Sequence, residues 1–108
     1  MTDMSLRLEH LNLPARDPEG LARWYADNFG LRADRHVVRG PGVLIAFQRG
    51  EPIGQADMLH LGLRVPSIEA LDAWARKFDV ETKVGPEFTT IRVFDPDGYC
   101  IEMYAPSA

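Results

Sequence analysis

Cysteine is almost absent from this sequence: Cys100 stands alone among 108 residues, so no internal disulfide can form and a reducing compartment is favoured. No apolar run approaches the roughly 18 residues of a membrane span, and the N-terminal residues lack the apolar core of a secretory signal. The 12 Lys and Arg residues are scattered and are outnumbered by 16 Asp and Glu residues, which argues against a nucleic acid partner. These absences favour a cytoplasmic protein without a membrane or nucleic acid partner.

The most informative feature that is present is an internal repeat. An offset of 50 aligns HLNLPARDPEGLARWY, which starts at His10, with HLGLRVPSIEALDAWA, which starts at His60. Repeats of this size are typical of duplicated supersecondary units. We therefore expect residues 1–108 to form one domain of two modules, at about 5–50 and 56–106. The coinciding pairs are His10/His60, Leu11/Leu61, Leu13/Leu63, Glu19/Glu69, Leu21/Leu71 and Trp24/Trp74.

Both copies follow the same local pattern of a strand, a helix and further strands. Period-two alternation predicts strands around 6–14 and 58–65. Helices are predicted to begin at Asp17, which is followed by Pro18, and at Ser67, and the first helix is predicted to end at Gly30. The tryptophans are predicted to pack in the core under these helices. Turn residues flank the remaining predicted strands, which are 34–39, 43–49, 89–95 and 99–105. The pattern does not decide whether a further strand forms near 52–56 or 80–84.

Two histidines and one glutamate occupy related places in the repeat. The leucines of the first strands need cover from the helices, so His10 and His60 should face the other side of the sheet. Setting Gly42 over Gly98 places Ala46 opposite Glu102. Two imidazoles and a carboxylate with open positions suit iron(II), manganese or zinc. From the residues alone, satisfied core or surface histidines are an equal alternative.

Three motifs resemble the vicinal-oxygen-chelate superfamily, which comprises glyoxalases, bleomycin resistance proteins and extradiol dioxygenases. They are the opening HLNLPARDPEGLARWYADNFGL, the middle HLGLRV and the closing DPDGYCIEMY, and they extend over nearly the whole chain. The resemblance implies an α+β fold of two βαβββ modules whose curved mixed sheet surrounds a cavity, with helices outside. It also implies a divalent metal (Fe, Mn, Ni, Co or Zn) at His10, His60 and Glu102, and a homodimer whose sites are shared between chains.

The activity implied by the resemblance is metal-dependent chemistry on a small oxygen-rich substrate that binds through vicinal oxygens. Dioxygenase, lyase and transferase branches all remain open. Ala46 departs from the four-ligand pattern of glyoxalase I, and His36, on an outer strand, is poorly placed as the extra acid–base histidine of a dioxygenase. The alternatives are a metal-free, drug-sequestering protein of the bleomycin-resistance type and a non-catalytic module that binds a partner.

Residues near the three expected ligands are candidates for substrate binding. Strand parity places Asn12 and Arg64 on the same faces as the histidines, and Arg92 is a candidate for an anionic group. Tyr104 could donate a hydrogen bond, whereas Cys100 is interpreted as a small core residue. The full candidate set for substrate binding is Asn12, Ala46, Gln48, Arg64, Thr90, Arg92 and Tyr104.

Overall fold

A computed structural model describes residues 1–53 and 59–107 of the chain. The chain divides into two compact units, Met1–Ile53 and Gly54–Ala108. Each unit has the element order βαβββ. The first contains β1 (Leu11–Ala15), α1 (Pro18–Phe29), β2 (Arg32–Asp34), β3 (Val37–Gly40) and β4 (Val43–Arg49). The second contains β5 (His60–Arg64), α2 (Ile68–Phe78), β6 (Lys83–Val84), β7 (Phe88–Phe94) and β8 (Cys100–Pro106).

Each unit forms one four-stranded mixed sheet. The strand orders are β1-β4-β3-β2 and β5-β8-β7-β6, and in both sheets the first pair is parallel while the others are antiparallel. The α+β class with two βαβββ modules is therefore confirmed. The further strand expected near 80–84 is β6, whereas residues 54–56 of the other candidate segment lie outside the described residues.

The helix ends follow from the capping residues in the sequence. Asp17 Oδ1 accepts a hydrogen bond from the Gly20 amide at 3.1 Å, and Ser67 Oγ accepts one from the Ala70 amide at 3.1 Å. Gly30 ends α1 with a φ of 68°, the left-handed conformation that glycine adopts readily. Among the described residues, no helix has both the length and the apolar character needed to cross a membrane.

Each sheet buries one face under its own helix. Tyr25 and Phe47 are the largest fully buried side chains of the first unit, as are Leu71, Ile91 and Ile101 in the second. The two tryptophans are only half-buried, so their predicted core packing is partial. Trp24 packs edge-on against Tyr25 (5.2 Å) and Phe29 (5.8 Å), and Trp74 stacks on Phe78 (6.1 Å).

Two predicted strands differ from the structure. The strand expected over 6–14 begins only at Leu11, because among the described residues β4 is the partner of β1 and pairs with it from Leu11 onward. The strand expected over 34–39 is two short strands, because a turn at Arg35 and His36 interrupts it. Arg35 adopts a φ of 54°, which no strand residue takes.

The second face of each sheet, opposite its helix, is called the open face. On β8, Ile101 and Met103 are 0% and 2% exposed under α2, whereas Glu102 and Tyr104 alternate with them and are half-buried. On β1, Leu13 is buried and Asn12 is exposed. The predicted parity of these strands is therefore correct, and the candidate residues lie on the open faces.

The turn between β7 and β8 holds the register of the open face in the second unit. The buried Asp95 carboxylate accepts hydrogen bonds from the amides of Asp97 and Tyr99, both at 2.9 Å. The Gly98 amide donates to the Asp95 carbonyl at 2.9 Å, and Gly98 has a φ of 89°. This arrangement fixes the hairpin register that places Arg92 opposite Glu102.

Candidate functional site

His60 and Glu102 lie on neighbouring strands of the second unit. In the parallel pairing of β5 with β8, His60 is in register with Cys100 and Gly62 with Glu102. Residues in register point to the same side of a sheet, so His60 and Glu102 are diagonal neighbours on the open face. Diagonal neighbours on adjacent strands are about 7–8 Å apart, which still allows an imidazole and a carboxylate to reach one common ion.

Arg92 on β7 holds one oxygen of the Glu102 carboxylate. It is in register with Glu102, and its Nε donates to Oε2 at 3.3 Å. The Glu102 side chain is 22% exposed, and that of Arg92 is 48% exposed. The single contact orients the carboxylate while its other oxygen, Oε1, is not part of this hydrogen bond.

His60 has both ring nitrogens available. Its side chain is exposed and makes no hydrogen bond or ion pair with the residues that the structure describes. An imidazole nitrogen is a common donor for a divalent ion.

Aromatic side chains flank Glu102 on the open face. Tyr104 is in register with Arg64 on one side and with Thr90 on the other. Its ring packs perpendicular to that of Phe88, with the centroids 5.4 Å apart. The Tyr104 ring lies beside Gly62, where a built Cβ would be in ordinary van der Waals contact with Tyr104 Cε1 at 3.8 Å. The expected substrate residues of the second unit therefore share one surface, to which Phe88 is added.

The first unit carries the remaining candidates. His10 directly precedes β1, is exposed, and its Nδ1 lies 3.2 Å from Glu9 Oε1. Asn12 Nδ2 donates to Gln48 Oε1 at 3.0 Å across β1 and β4. Ala46 is in register with Asn12 and shares the open face with it. His36 lies in the exposed turn between β2 and β3, where its carbonyl accepts a hydrogen bond from the Phe47 amide at 2.8 Å.

The strand registers of the two units are equivalent. Asn12 pairs with Ala46 in the first unit, and Gly62 pairs with Glu102 at the equivalent position in the second. Val37, in register with Ala46, matches Arg92, in register with Glu102. The first unit thus has an aliphatic pair at the position where the second unit has an ion pair.

Two features of this surface were not predicted from the sequence. The Arg92–Glu102 ion pair depends on the register of two strands, although the alternation of Thr90 and Arg92 placed Arg92 on the correct face. Phe88 extends the same alternation by one step, and this signal could have identified it. Within either unit, the described residues bring no three His, Cys, Asp or Glu side chains together as a metal site.

A family profile that matches most of the chain shows to which family the protein belongs. The profile of the Glyoxalase/Bleomycin resistance protein/Dioxygenase superfamily matches residues 7–103. The chain belongs to this superfamily. No curated protein matches its sequence.

Solved structures show that the superfamily fold extends over nearly the whole chain. FosX, a fosfomycin resistance protein from Listeria monocytogenes, is 20% identical with a TM-score of 0.76, and the match covers 94% of each chain. Lactoylglutathione lyase from Agrobacterium tumefaciens is 15% identical with a TM-score of 0.72, covering 95% of this chain and 96% of that one. A putative glyoxalase family protein from Bacillus anthracis is 18% identical with a TM-score of 0.70, covering 98% and 99%. At these identities the likeness is one of fold.

The donor set of this superfamily member fits a divalent metal ion. His60 offers unengaged nitrogens, and Glu102 offers an oxygen outside its contact with Arg92. Carboxylate ligands of metals are usually hydrogen-bonded by a further side chain, and Arg92 meets this requirement. His60 and Glu102 thus offer one imidazole and one carboxylate, two of the donor types that suit a divalent ion.

Proposed function

We propose that the protein is a metal-dependent enzyme acting on a small oxygen-rich substrate that binds through vicinal oxygens. The observation that carries the proposal is the pairing of an unengaged His60 with Glu102 on the open face, where Arg92 orients the carboxylate. In this proposal His10, His60 and Glu102 are the ligands, and the two units act together as one domain. The fold of FosX and of lactoylglutathione lyase supports a metalloenzyme of this superfamily. A single cysteine suits a cytoplasmic enzyme.

In this proposal the side chains on the open faces have two roles: some orient the metal ligands and others bind the substrate. A divalent ion held by His10, His60 and Glu102 would supply Lewis-acid polarisation of the substrate oxygens. Arg92 binds the Glu102 carboxylate and orients it. We assign the phenol of Tyr104, which lies two residues further along β8 on the same face, as a hydrogen-bond donor to a substrate oxygen. The rings of Tyr104 and Phe88 pack against each other and add apolar surface beside Glu102. Asn12, Gln48, Arg64 and Thr90 are the further polar groups that we assign to substrate binding, with Ala46 leaving space.

Metal content tests the proposal directly. Protein purified without chelators and then incubated with Fe(II), Mn(II), Ni(II), Co(II) or Zn(II) should retain close to one ion per chain after desalting. Elemental analysis by mass spectrometry measures this ratio, with the metal-stripped protein as the blank. Retention of none of these ions would contradict the proposal and would favour the metal-free, drug-sequestering alternative. In that case, binding of a cationic drug is the measurement to make.

We also propose a homodimer in which one chain supplies His10 and the other supplies His60 and Glu102. The N-terminal segment supports it, because Met4, Leu6 and Leu8 are 81%, 97% and 97% exposed. Such apolar side chains are usually covered by another protein surface. β1 and β5 each lie at one edge of their own sheet, and exposed edges commonly pair with other strands.

Sedimentation tests the dimer. The wild-type chain at micromolar concentration should sediment at twice the monomer mass of 12.1 kDa. Changing Leu6 and Leu8 together to serine should shift the protein towards monomer, since it removes apolar area from the contact. The matched control is Arg7→Ser, which lies between them and should leave the dimer intact. A wild-type monomer would refute the dimer without affecting the ligand assignment.

A further inference from the structure

Two arginines face each other across the hairpin of the first unit. Arg32 on β2 and Arg39 on β3 are in register, and both side chains are exposed. Cβ atoms of residues directly opposite in an antiparallel pair are about 5 Å apart, so like charges at such positions repel and destabilise the sheet. This repulsive pair needs an explanation.

Neither guanidinium is neutralised by the protein. Within residues 1–53 and 59–107, Arg32 and Arg39 form no ion pair and no side-chain hydrogen bond. Asp34 shares their face of the sheet, yet no contact within ion-pair distance joins it to either arginine. In contrast, Arg92 binds Glu102, and Arg49 donates to the Arg16 carbonyl at 2.9 Å. The two positive charges of the pair are therefore available to a ligand.

Open clefts border both arginines. One cleft of about 620 Å³ includes Arg32 and Arg39 in its lining, together with Leu31 and Pro41. A second cleft, of about 440 Å³, also includes Arg39 in its lining, together with Leu44 and Arg7. Arg39 and Leu44 are in register, and Leu44 lies on the open face, two residues before Ala46 on the same strand. A small molecule bound near Ala46 thus has a continuous surface to Arg39.

The neighbouring helix end explains only one of the two arginines. Arg32 follows Gly30, the C-terminal cap of α1, and the last turn of this helix has no basic residue. A guanidinium near the carbonyl end of a helix is favourable. Arg39, on the next strand, gains no such benefit from its sequence position, and its charge makes the position of Arg32 less favourable. A role in binding accounts for the pair.

We propose that Arg32 and Arg39 together bind an anionic oxygen group, a carboxylate or a phosphate, of the small molecule on which the enzyme acts. Guanidinium groups match the planar or tetrahedral oxygens of such groups and can bind them in bidentate fashion. The identification of this anion as part of the substrate rests on the proposed function, whereas the anion site itself depends only on the first unit.

Titration of the metal-free protein with inorganic phosphate and with succinate tests the site. Resonances of the Arg32 and Arg39 Nε–H groups should shift in NMR spectra, and the tighter probe identifies the preferred group. Arg39→Gln and Arg32→Gln should each weaken binding about threefold to tenfold, a modest loss because exposed charge-assisted hydrogen bonds are screened. The control is Arg23→Gln, an exposed arginine on α1 with the same change in charge, which should bind the probes as the wild type does.

Thermal stability gives a second readout. If the arginines are retained for binding, Arg39→Gln removes repulsion and raises the melting temperature of the free protein at low salt. The site is refuted if neither probe shifts the arginine resonances, if Arg23→Gln weakens binding as much as Arg39→Gln does, or if Arg39→Gln destabilises the free protein. Because the metal is absent from this titration, its failure leaves the ligand assignment untouched. Equally, a failure to retain metal leaves the anion site standing.

Discussion

Replacement of His60 by alanine is expected to abolish stable metal retention. Changes to residues that only hydrogen-bond a ligand commonly lower metal affinity about 10- to 100-fold, so loss of a direct ligand should exceed about 100-fold. His60 is exposed and engages none of the described residues, so its removal should change the free energy of unfolding by no more than about 0.5 kcal/mol. Elemental analysis after desalting, together with a thermal melt monitored by circular dichroism, measures both quantities on one sample.

The matched control for this variant is His36→Ala. His36 is also exposed, but it lies in the turn between β2 and β3 rather than on an open face. It should retain the metal as the wild type does, and any activity found for the enzyme should persist. Equal metal loss in both variants would point to nonspecific binding by surface imidazoles. Full retention by the His60 variant would remove His60 from the ligand set.

Local structure was predictable where it depends on neighbours in sequence. The helices begin at Asp17 and Ser67 because these side chains accept hydrogen bonds from amides three residues later, a pattern that the sequence displays. The alternation of apolar residues correctly assigned Glu102 and Tyr104 to the face opposite Ile101 and Met103. Aligning Gly42 with Gly98 in the sequence also predicted that Ala46 and Glu102 are equivalent positions. The strand registers of β1–β4 and β5–β8 agree with that alignment.

Features that depend on residues distant in sequence were not predictable in this way. The alternation of Met4, Leu6 and Leu8 is strand-like, yet a strand requires a partner to accept its hydrogen bonds, and periodicity does not supply that information. The contact between Arg92 and Glu102 and the apposition of Arg32 and Arg39 both follow from hairpin register. Register depends on the turn geometry at Arg35 and Asp95, which residue types alone specify poorly.

The equivalence of Ala46 and Glu102 leads to the second large expected effect, a gain of metal affinity in Ala46→Glu. Ala46 is half-buried and occupies the register position in the first unit that Glu102 occupies in the second. If the ligands converge as proposed, a carboxylate at this position becomes a fourth ligand. We expect metal binding to tighten about tenfold or more, since each 1.4 kcal/mol of added interaction multiplies the binding constant by ten.

Competition with a chelator measures this gain, and Ala46→Gln is the control because it has nearly the same size and no charge. A tightening with glutamate but not with glutamine supports a ligand at this position, and the occupied coordination site should then weaken substrate binding. The opposite pattern, in which neither variant alters metal affinity although both fold, would mean that the face of β4 is remote from the ion. His10 would then lose its support as a ligand as well, because it precedes the strand that pairs with β4 and lies on the same face by parity.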